Sequence, residues 1–248
     1  MISLIGKNVR KSLTNKIYDF LFKKSKQKLF FRGFSVRKNF LLKKILLILF
    51  KKNKLLNITI PYKEEAFFFA NYICKNSSLF NSINCIFLYK NCTIGFNTDG
   101  IGFLKDFKKK FFIKKKPNIL VLGMGGAFKG IINFIKKIKH KNIFLDNRKK
   151  KKIIMFIKKE KYLKVYKNEK FKILINTVPT QFLFNFIKNK KIPIKKKTLC
   201  YDIGYLNKTK VSYLTNFFFN GTGMLLFQAI ENFKILLKIQ NERITRIS

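Results

Sequence analysis

Apolar residues recur along the 248-residue chain in short runs, and two spacings take turns. Continuous or alternating apolar runs predict strands over 2–5, 29–34, 57–60, 83–89 and 92–95. Helical spacing predicts helices over 15–24, carried by Ile17, Phe20 and Leu21, and over 39–52 and 63–72. The apolar run 45–50 has lysine pairs on both sides and reads as a buried helix face. A short helix follows Gly100. A lysine-rich stretch, 108–116, is closed by Pro117 and reads as a domain junction. Beyond it the rhythm is plainer: strand 118–122, helix 126–139, strand 142–145, helix 149–160, then strands 173–176 and 199–203. Alternation of this kind predicts an α/β protein with a parallel sheet covered by helices.

Composition changes that picture little, but it removes one tempting reading. The chain carries 55 Lys+Arg against 11 Asp+Glu, a net charge of +44, and 30 Phe with no Trp. Only six of the basic residues are Arg. Lys and Phe are written with A-rich and T-rich codons, so an A+T-biased genome accounts for the excess. A dedicated nucleic-acid binder concentrates charge on one face and favours Arg. Here Lys is spread along the whole length, so no specific nucleic-acid partner is expected.

Cysteines stand at 74, 85, 92 and 200 without a CxxC pair, and His140 is the single histidine. A structural zinc site and a disulfide framework are both disfavoured, and a reducing, cytoplasmic compartment is expected. The N-terminus lacks the apolar core of a signal peptide, and no apolar run approaches a membrane span. His140 lies between two lysines near a helix end and reads as a surface residue, not a catalytic base.

The strongest local motif is Asn118-Ile-Leu-Val-Leu-Gly-Met-Gly-Gly-Ala127. An apolar strand runs into Gly123, Gly125 and Gly126, and a helix opens at once. Such a turn lets backbone approach a pyrophosphate at a helix N-terminus; without a ligand it would be only a tight strand-to-helix turn. The next strand ends at Asp146-Asn147-Arg148-Lys149. An acid there bonds the ribose of NAD, and an arginine accommodates the 2′-phosphate of NADP. Both are present. The arginine and the lysines after it favour NADP, Asp146 keeps NAD open, and Asp146 or Asn147 could equally cap the following helix.

The N-terminal half carries a less generic set. Asn57-Ile-Thr-Ile-Pro-Tyr-Lys63 puts a lysine just past a strand end, Asn97-Thr-Asp-Gly100 presents an acid on a turn, and Gly221-Thr-Gly-Met-Leu-Leu-Phe-Gln228 places a glutamine within a helix. With these the chain resembles the shikimate dehydrogenase family, nearly end to end and in order. The family's Ser-x-Ser resembles Ser12-Leu-Thr14. Its Asn-Val-Thr-x-Pro-x-Lys is matched at 57–63, its Val-Asn-Thr by Ile83-Asn84-Cys85, and its Asn-Thr-Asp-Gly identically at 97–100. Gly123 to Ala127 matches the glycine loop, Asn147-Arg148 the Asn-Arg after the second strand, and Tyr201-Asp-Ile-Gly-Tyr205 a late segment. Departures are Lys11 for a His, Thr14 for the second Ser, Asn15 for a Pro, and Asn176-Thr-Val-Pro179 for an Asn-Ala-Thr segment.

The resemblance implies NADPH-dependent reversible reduction of 3-dehydroshikimate to shikimate, in aromatic amino-acid biosynthesis, by a monomer or homodimer. It implies Lys63 and Asp99 as catalytic residues. Ser12, Thr14, Thr59, Asn84, Tyr205 and Gln228 would hold substrate. Gly123, Gly125, Gly126, Ala127, Asn147, Arg148 and Gly221 would hold NADP. The expected architecture has two domains. A substrate-binding domain over 1–101 is completed by 220–248, whose helix returns to it, and a Rossmann-like dinucleotide-binding domain covers 102–219, with the active site in the cleft. An NAD-preferring quinate/shikimate dehydrogenase, or a degenerate lysine-rich relic that binds nucleotide or polyanions, are the alternatives.

Overall fold

A computed structural model describes residues 1–10, 12–36, 53–74, 77, 81–89, 92–113, 115–138, 140–157, 162–205 and 209–244. The helix predicted over 39–52, with the apolar run 45–50, lies outside these residues. The chain divides into two compact units, Met1–Gly102 with Leu225–Ser248, and Phe103–Met224.

The first unit holds a six-stranded mixed sheet. Its strands are β1 (Ile2–Gly6), β2 (Phe31–Ser35), β3 (Leu55–Ile58), β4 (Tyr72–Ile73), β5 (Cys85–Tyr89) and β6 (Cys92–Phe96), in the order β2-β1-β3-β5-β6-β4. β1 pairs parallel with β2 and β3, β5 runs antiparallel to both β3 and β6, and β4 pairs parallel with β6. Side chains alternate across the sheet. Ile2, Leu55, Cys85 and Phe87 face helices α1 (Thr14–Lys24) and α7 (Thr222–Ile244), through Tyr18, Phe22, Ala229 and Phe233. Ile5, Leu56, Ile58 and Ile86 line the opposite face against α2 (Lys63–Phe67) and Tyr62. Asn57 therefore shares the Leu55 face, a carboxamide set in an apolar layer.

Two expectations for this unit need correcting. The buried face of α1 is centred on Thr14, Tyr18 and Phe22, with Ile17 and Leu21 packed half-buried at its edge and Phe20 turned outward. Phe20 is 58% exposed. Tyr18 stacks on Phe31 at 5.1 Å and its hydroxyl finds Asn57, so its polar tip can be buried without loss. The helix predicted over 63–72 stops at Phe67, and Tyr72–Ile73 forms β4 instead. Asn71 exchanges backbone and side-chain hydrogen bonds with Thr93, both at 2.9 Å, which holds this stretch alongside β6.

The second unit contains α3 from Phe103 on (α3 is Asp99–Lys110) and a six-stranded sheet of β7 (Ile119–Leu122), β8 (Ile143–Asp146), β9 (Leu163–Val165), β10 (Ile173–Asn176), β11 (Leu199–Asp202) and β12 (Phe217–Asn220). The order is β12-β11-β10-β7-β8-β9, with every pairing parallel. Numbered within the unit this is the doubly wound 3-2-1-4-5-6 arrangement, whose ligand crevice lies beyond the carboxyl ends of the strands at the switch between β7 and β10. Helices α4 (Gly126–Ile135), α5 (Lys150–Ile157) and α6 (Thr180–Asn189) connect the strands. The predicted helix over 126–139 thus ends at Ile135. β9, α6, β12 and a 3₁₀ turn at Lys210–Tyr213 have no counterpart among the elements predicted from sequence.

α3 is anchored in this unit by an aromatic cluster in which Phe103 and Phe107 meet Tyr201. The buried Asp106 carboxylate accepts the Tyr201 hydroxyl at 2.6 Å and the Lys110 ammonium at 2.7 Å, so no charge is left uncompensated.

Candidate active site

In the first unit, Lys63 opens α2 and Asp99 opens α3. Neither sits on the loop position that its motif suggested. The Lys63 ammonium lies 2.5 Å from Asp99 Oδ2, with side chains only 15% and 7% exposed. At so short a distance, and largely withdrawn from water, the hydrogen bond is a strong charge-assisted one. The other Asp99 oxygen accepts Asn84 Nδ2 at 2.9 Å. The same Asn84 nitrogen is 3.0 Å from Thr98 Oγ1 and 3.0 Å from Gln228 Oε1. Four residues named from separate motifs, Lys63, Asn84, Asp99 and Gln228, thus form one hydrogen-bonded group.

The other expected substrate residues divide. The Ser12 and Thr14 hydroxyls are 2.7 Å apart at the start of α1. Thr59 follows β3 half-buried, its amide donating to Ile5. Tyr205 belongs to the second unit, half-buried beyond β11. Sequence reasoning missed Tyr18, Asn57, Thr98 and Asn232, which continue the polar group inward. Tyr18 donates to Asn57 Oδ1 at 3.1 Å, Asn232 donates to the same oxygen at 2.9 Å, and Thr98 donates to Asn232 at 2.8 Å. A signal existed for three of them: Asn57 opens the 57–63 motif, Thr98 lies inside Asn-Thr-Asp-Gly, and Asn232 is one helical turn beyond Gln228.

In the second unit, Gly123, Gly125, Gly126 and Ala127 form the turn from β7 into α4. Gly123 has φ +90°, and a side chain there would collide with Thr177 and Val178. Its glycine is demanded by the protein's own backbone. Gly125 is different. It precedes α4 with extended backbone, and a Cβ built on it meets nothing within 4 Å. Gly125 has no side chain with which to cap the helix, and the first-turn N–H groups of a helix have no partner within it. Open space over uncapped amides, at the switch point of a parallel sheet, is what a pyrophosphate needs. The residues therefore fit a dinucleotide.

β8 ends at Asp146, and α5 opens at Lys150, so neither Asp146 nor Asn147 is the residue just before that helix. Asp146 is buried and accepts the Lys190 ammonium at 3.1 Å. Its charge is compensated by the residue just after α6, a partner that no sequence reasoning had found. Asn147 is half-buried and Arg148 exposed beyond the strand. Gly221 is explained without a ligand, because a Cβ there would lie 2.1 Å from the Ile203 carbonyl oxygen. In the divergent 176–179 segment, Asn176 Nδ2 donates to Asp202 at 2.9 Å and the Thr177 hydroxyl donates to the Leu122 carbonyl at 2.8 Å. The loop is thereby tied to β7 and β11. Burial raises the Asp202 carboxyl above its ordinary pKa, against the bonds from Gly204, Asn176 and Thr180. His140 is half-buried with its ring edge-on to Tyr162, and burial lowers its pKa.

Among the described residues no cluster of His, Cys, Asp or Glu could hold a metal, and no helix is long and apolar enough to cross a membrane. All four cysteines are free thiols.

Residues 4–86 match the family model of the shikimate dehydrogenase substrate-binding domain. A shikimate dehydrogenase (NADP(+)) of Clostridium botulinum is 30% identical over 239 residues, 91% of this chain and 92% of that one. That of Buchnera aphidicola from Schizaphis graminum is 33% identical over 203 residues, 74% of this chain and 72% of that one. The crystal structure of shikimate dehydrogenase from Aquifex aeolicus superposes with a TM-score of 0.82 at 29% identity, covering 95% of this chain and 91% of that chain.

Proposed function

The chain belongs to the shikimate dehydrogenase family, and from that we propose that it catalyses the NADPH-dependent, reversible reduction of 3-dehydroshikimate to shikimate. The observation that carries the proposal is the Lys63–Asp99 pair, joined to Asn84 and Gln228 in a single buried cluster.

Reduction of a ring ketone leaves an oxygen that must gain a proton. Lys63 Nζ is the group placed to give it, or to hold the negative charge as it develops. Asp99 keeps the ammonium aimed, and Asn84 keeps the carboxylate from turning. Asn84 and Gln228 are amides on the same cluster and can bond ring hydroxyls. Ser12 and Thr14 offer two adjacent hydroxyls to a carboxylate. Thr59, beside the strand end that leads to Lys63, adds another hydroxyl, and Tyr205 is assigned to the substrate through the family motif. Around the cofactor, Gly123 shapes the turn, while Gly125, Gly126 and Ala127 offer backbone to the pyrophosphate. Asn147 and Arg148 would hold the adenosine end, and Gly221 keeps the chain close at the start of α7. NADP, when bound, supplies or removes the hydride. Free thiols fit a reducing cytoplasmic setting, and a monomer or homodimer is expected.

Preference for NADP over NAD is supported by Arg148, whose planar guanidinium suits a phosphate, and by the compensation of Asp146 by Lys190. Arg148→Ala is expected to narrow the preference by about 1.5–3 kcal/mol, the worth of a hydrogen bond to a charged group. The check is the ratio of specificity constants for the two cofactors at fixed salt. An unchanged ratio would hand the ribose to Asp146.

The reaction itself is tested with NADPH deuterated at either face of nicotinamide C4. One of the two preparations should yield shikimate heavier by a single deuterium when mixed with 3-dehydroshikimate. Unlabelled product from both would rule out direct hydride transfer.

A further inference from the structure

Asn232 belongs to none of the recognisable motifs, yet its carboxamide is 0% exposed and touches four polar groups. Its Nδ2 donates to Asn57 Oδ1 at 2.9 Å and to Gln228 Oε1 at 3.4 Å. Its Oδ1 accepts the Thr98 hydroxyl at 2.8 Å and the Cys85 thiol at 3.1 Å.

The direction of every bond in this group can be worked out. Asn57 Nδ2 donates to the Ser3 carbonyl at 3.3 Å, so Asn57 turns its oxygen toward Tyr18 and Asn232. Asn232 must then turn its nitrogen toward Asn57. On the other side, burial pushes the Cys85 thiol pKa well up. The thiol therefore keeps its proton, and the nearer of its two acceptors is Asn232 Oδ1, at 3.1 Å against 3.7 Å for the Phe96 carbonyl. Both sides agree on one orientation. Thr98 has a single hydroxyl proton and gives it to Asn232, leaving its oxygen as an acceptor for Asn84 Nδ2 at 3.0 Å. The Thr98 amide donates to Asn84 Oδ1 at 3.0 Å. Asn84 is thereby locked with its nitrogen toward Asp99 and Gln228. Gln228 receives donors on Oε1 from both Asn84 and Asn232, so its amide is locked as well, with Nε2 as its donor end.

We propose that Asn232 is a positioning residue that fixes Gln228 to present its NH₂ to a hydroxylated substrate. This rests on the function proposed above. Deprived of Asn232, the Gln228 amide can turn over, and a hydroxyl that accepted from Nε2 would face Oε1 instead.

The test uses Asn232→Leu, which removes the amide at similar volume, and Asn232→Ser, a smaller change that keeps an acceptor near Thr98 but is too short to reach Gln228. For each, kcat and KM are measured with shikimate and with the two analogues that each lack one non-reacting ring hydroxyl. KM for NADP and the melting temperature are measured alongside. The expected result is a KM for shikimate raised roughly 3- to 10-fold, the worth of one neutral hydrogen bond. KM should change much less for at least one analogue, with KM for NADP unmoved. Selectivity for shikimate over that analogue would then fall by the same factor. Equal losses on all three substrates, or none, in whichever variant folds would overturn the proposal and leave Asn232 as a support of the fold. A wild-type protein inert toward shikimate would instead remove the function on which it rests.

Discussion

Replacing Lys63 with Ala, or Asp99 with Asn, is expected to lower turnover of shikimate by about 10²–10⁴-fold, the usual worth of a positioned proton transfer. The competing account is an ion pair that only ties α2 to α3. A solvent-exposed pair of that kind contributes roughly 0–1 kcal/mol, but this one is largely shielded, and Asp99 is held on its second oxygen as well. Asp99→Asn keeps the shape and loses the charge, so it separates the two accounts. The expected outcome is lost turnover with a melting temperature close to that of the wild type. Activity and melting falling together would mark a structural pair, and near-normal turnover in either variant would dissolve the proposed dyad.

The second large effect is expected at Gly125. Gly125→Val puts an isopropyl group into space that no protein atom occupies. Its backbone is extended, a conformation open to valine. Loss of a tolerated N-cap residue costs at most about 1 kcal/mol. Displacing a pyrophosphate from the amides of α4 would instead remove about two charge-assisted hydrogen bonds, each worth roughly 1.5–3 kcal/mol. Affinity for NADP should therefore fall by about 10²–10⁴-fold while the fold is retained. Titration calorimetry with NADP and a thermal melt decide it. Unaltered affinity would mean that the glycine turn is only a turn.

Much of the second unit was legible because strands buried on both faces read as unbroken apolar runs. Ile119–Leu122 and Ile173–Asn176 are buried throughout, and each was found within a residue. α6 was not found. Its buried positions Leu183, Phe186 and Ile187 do have helical spacing, but Phe182 is exposed and Phe184 only partly covered. With 30 Phe in the chain, an aromatic residue says little about which side is inward. The same excess misplaced the inner face of α1, where Tyr18 outranks Phe20.

The site was legible only where a motif carried it. Lys63, Asn84, Asp99 and Gln228 stand far apart in sequence, and no periodicity links them; the collinear match did. Asn232 and Lys190 show the limit. Each acts by reaching a partner distant in the chain, Asn57 and Asp146 respectively, and nothing local marks an asparagine or one lysine among 49 as special. Lys190 also bears on what the sequence left divided, since an acid at the end of β8 weighs on cofactor choice according to whether its charge is already met.

The most direct test of the whole account is the initial rate of shikimate oxidation, followed by the absorbance of reduced nicotinamide, with NADP and NAD in parallel at one moderate salt concentration. Shikimate-dependent reduction of NADP, with a higher specificity constant than for NAD, is the predicted result. No reduction of either cofactor, or a preference for NAD, would contradict it.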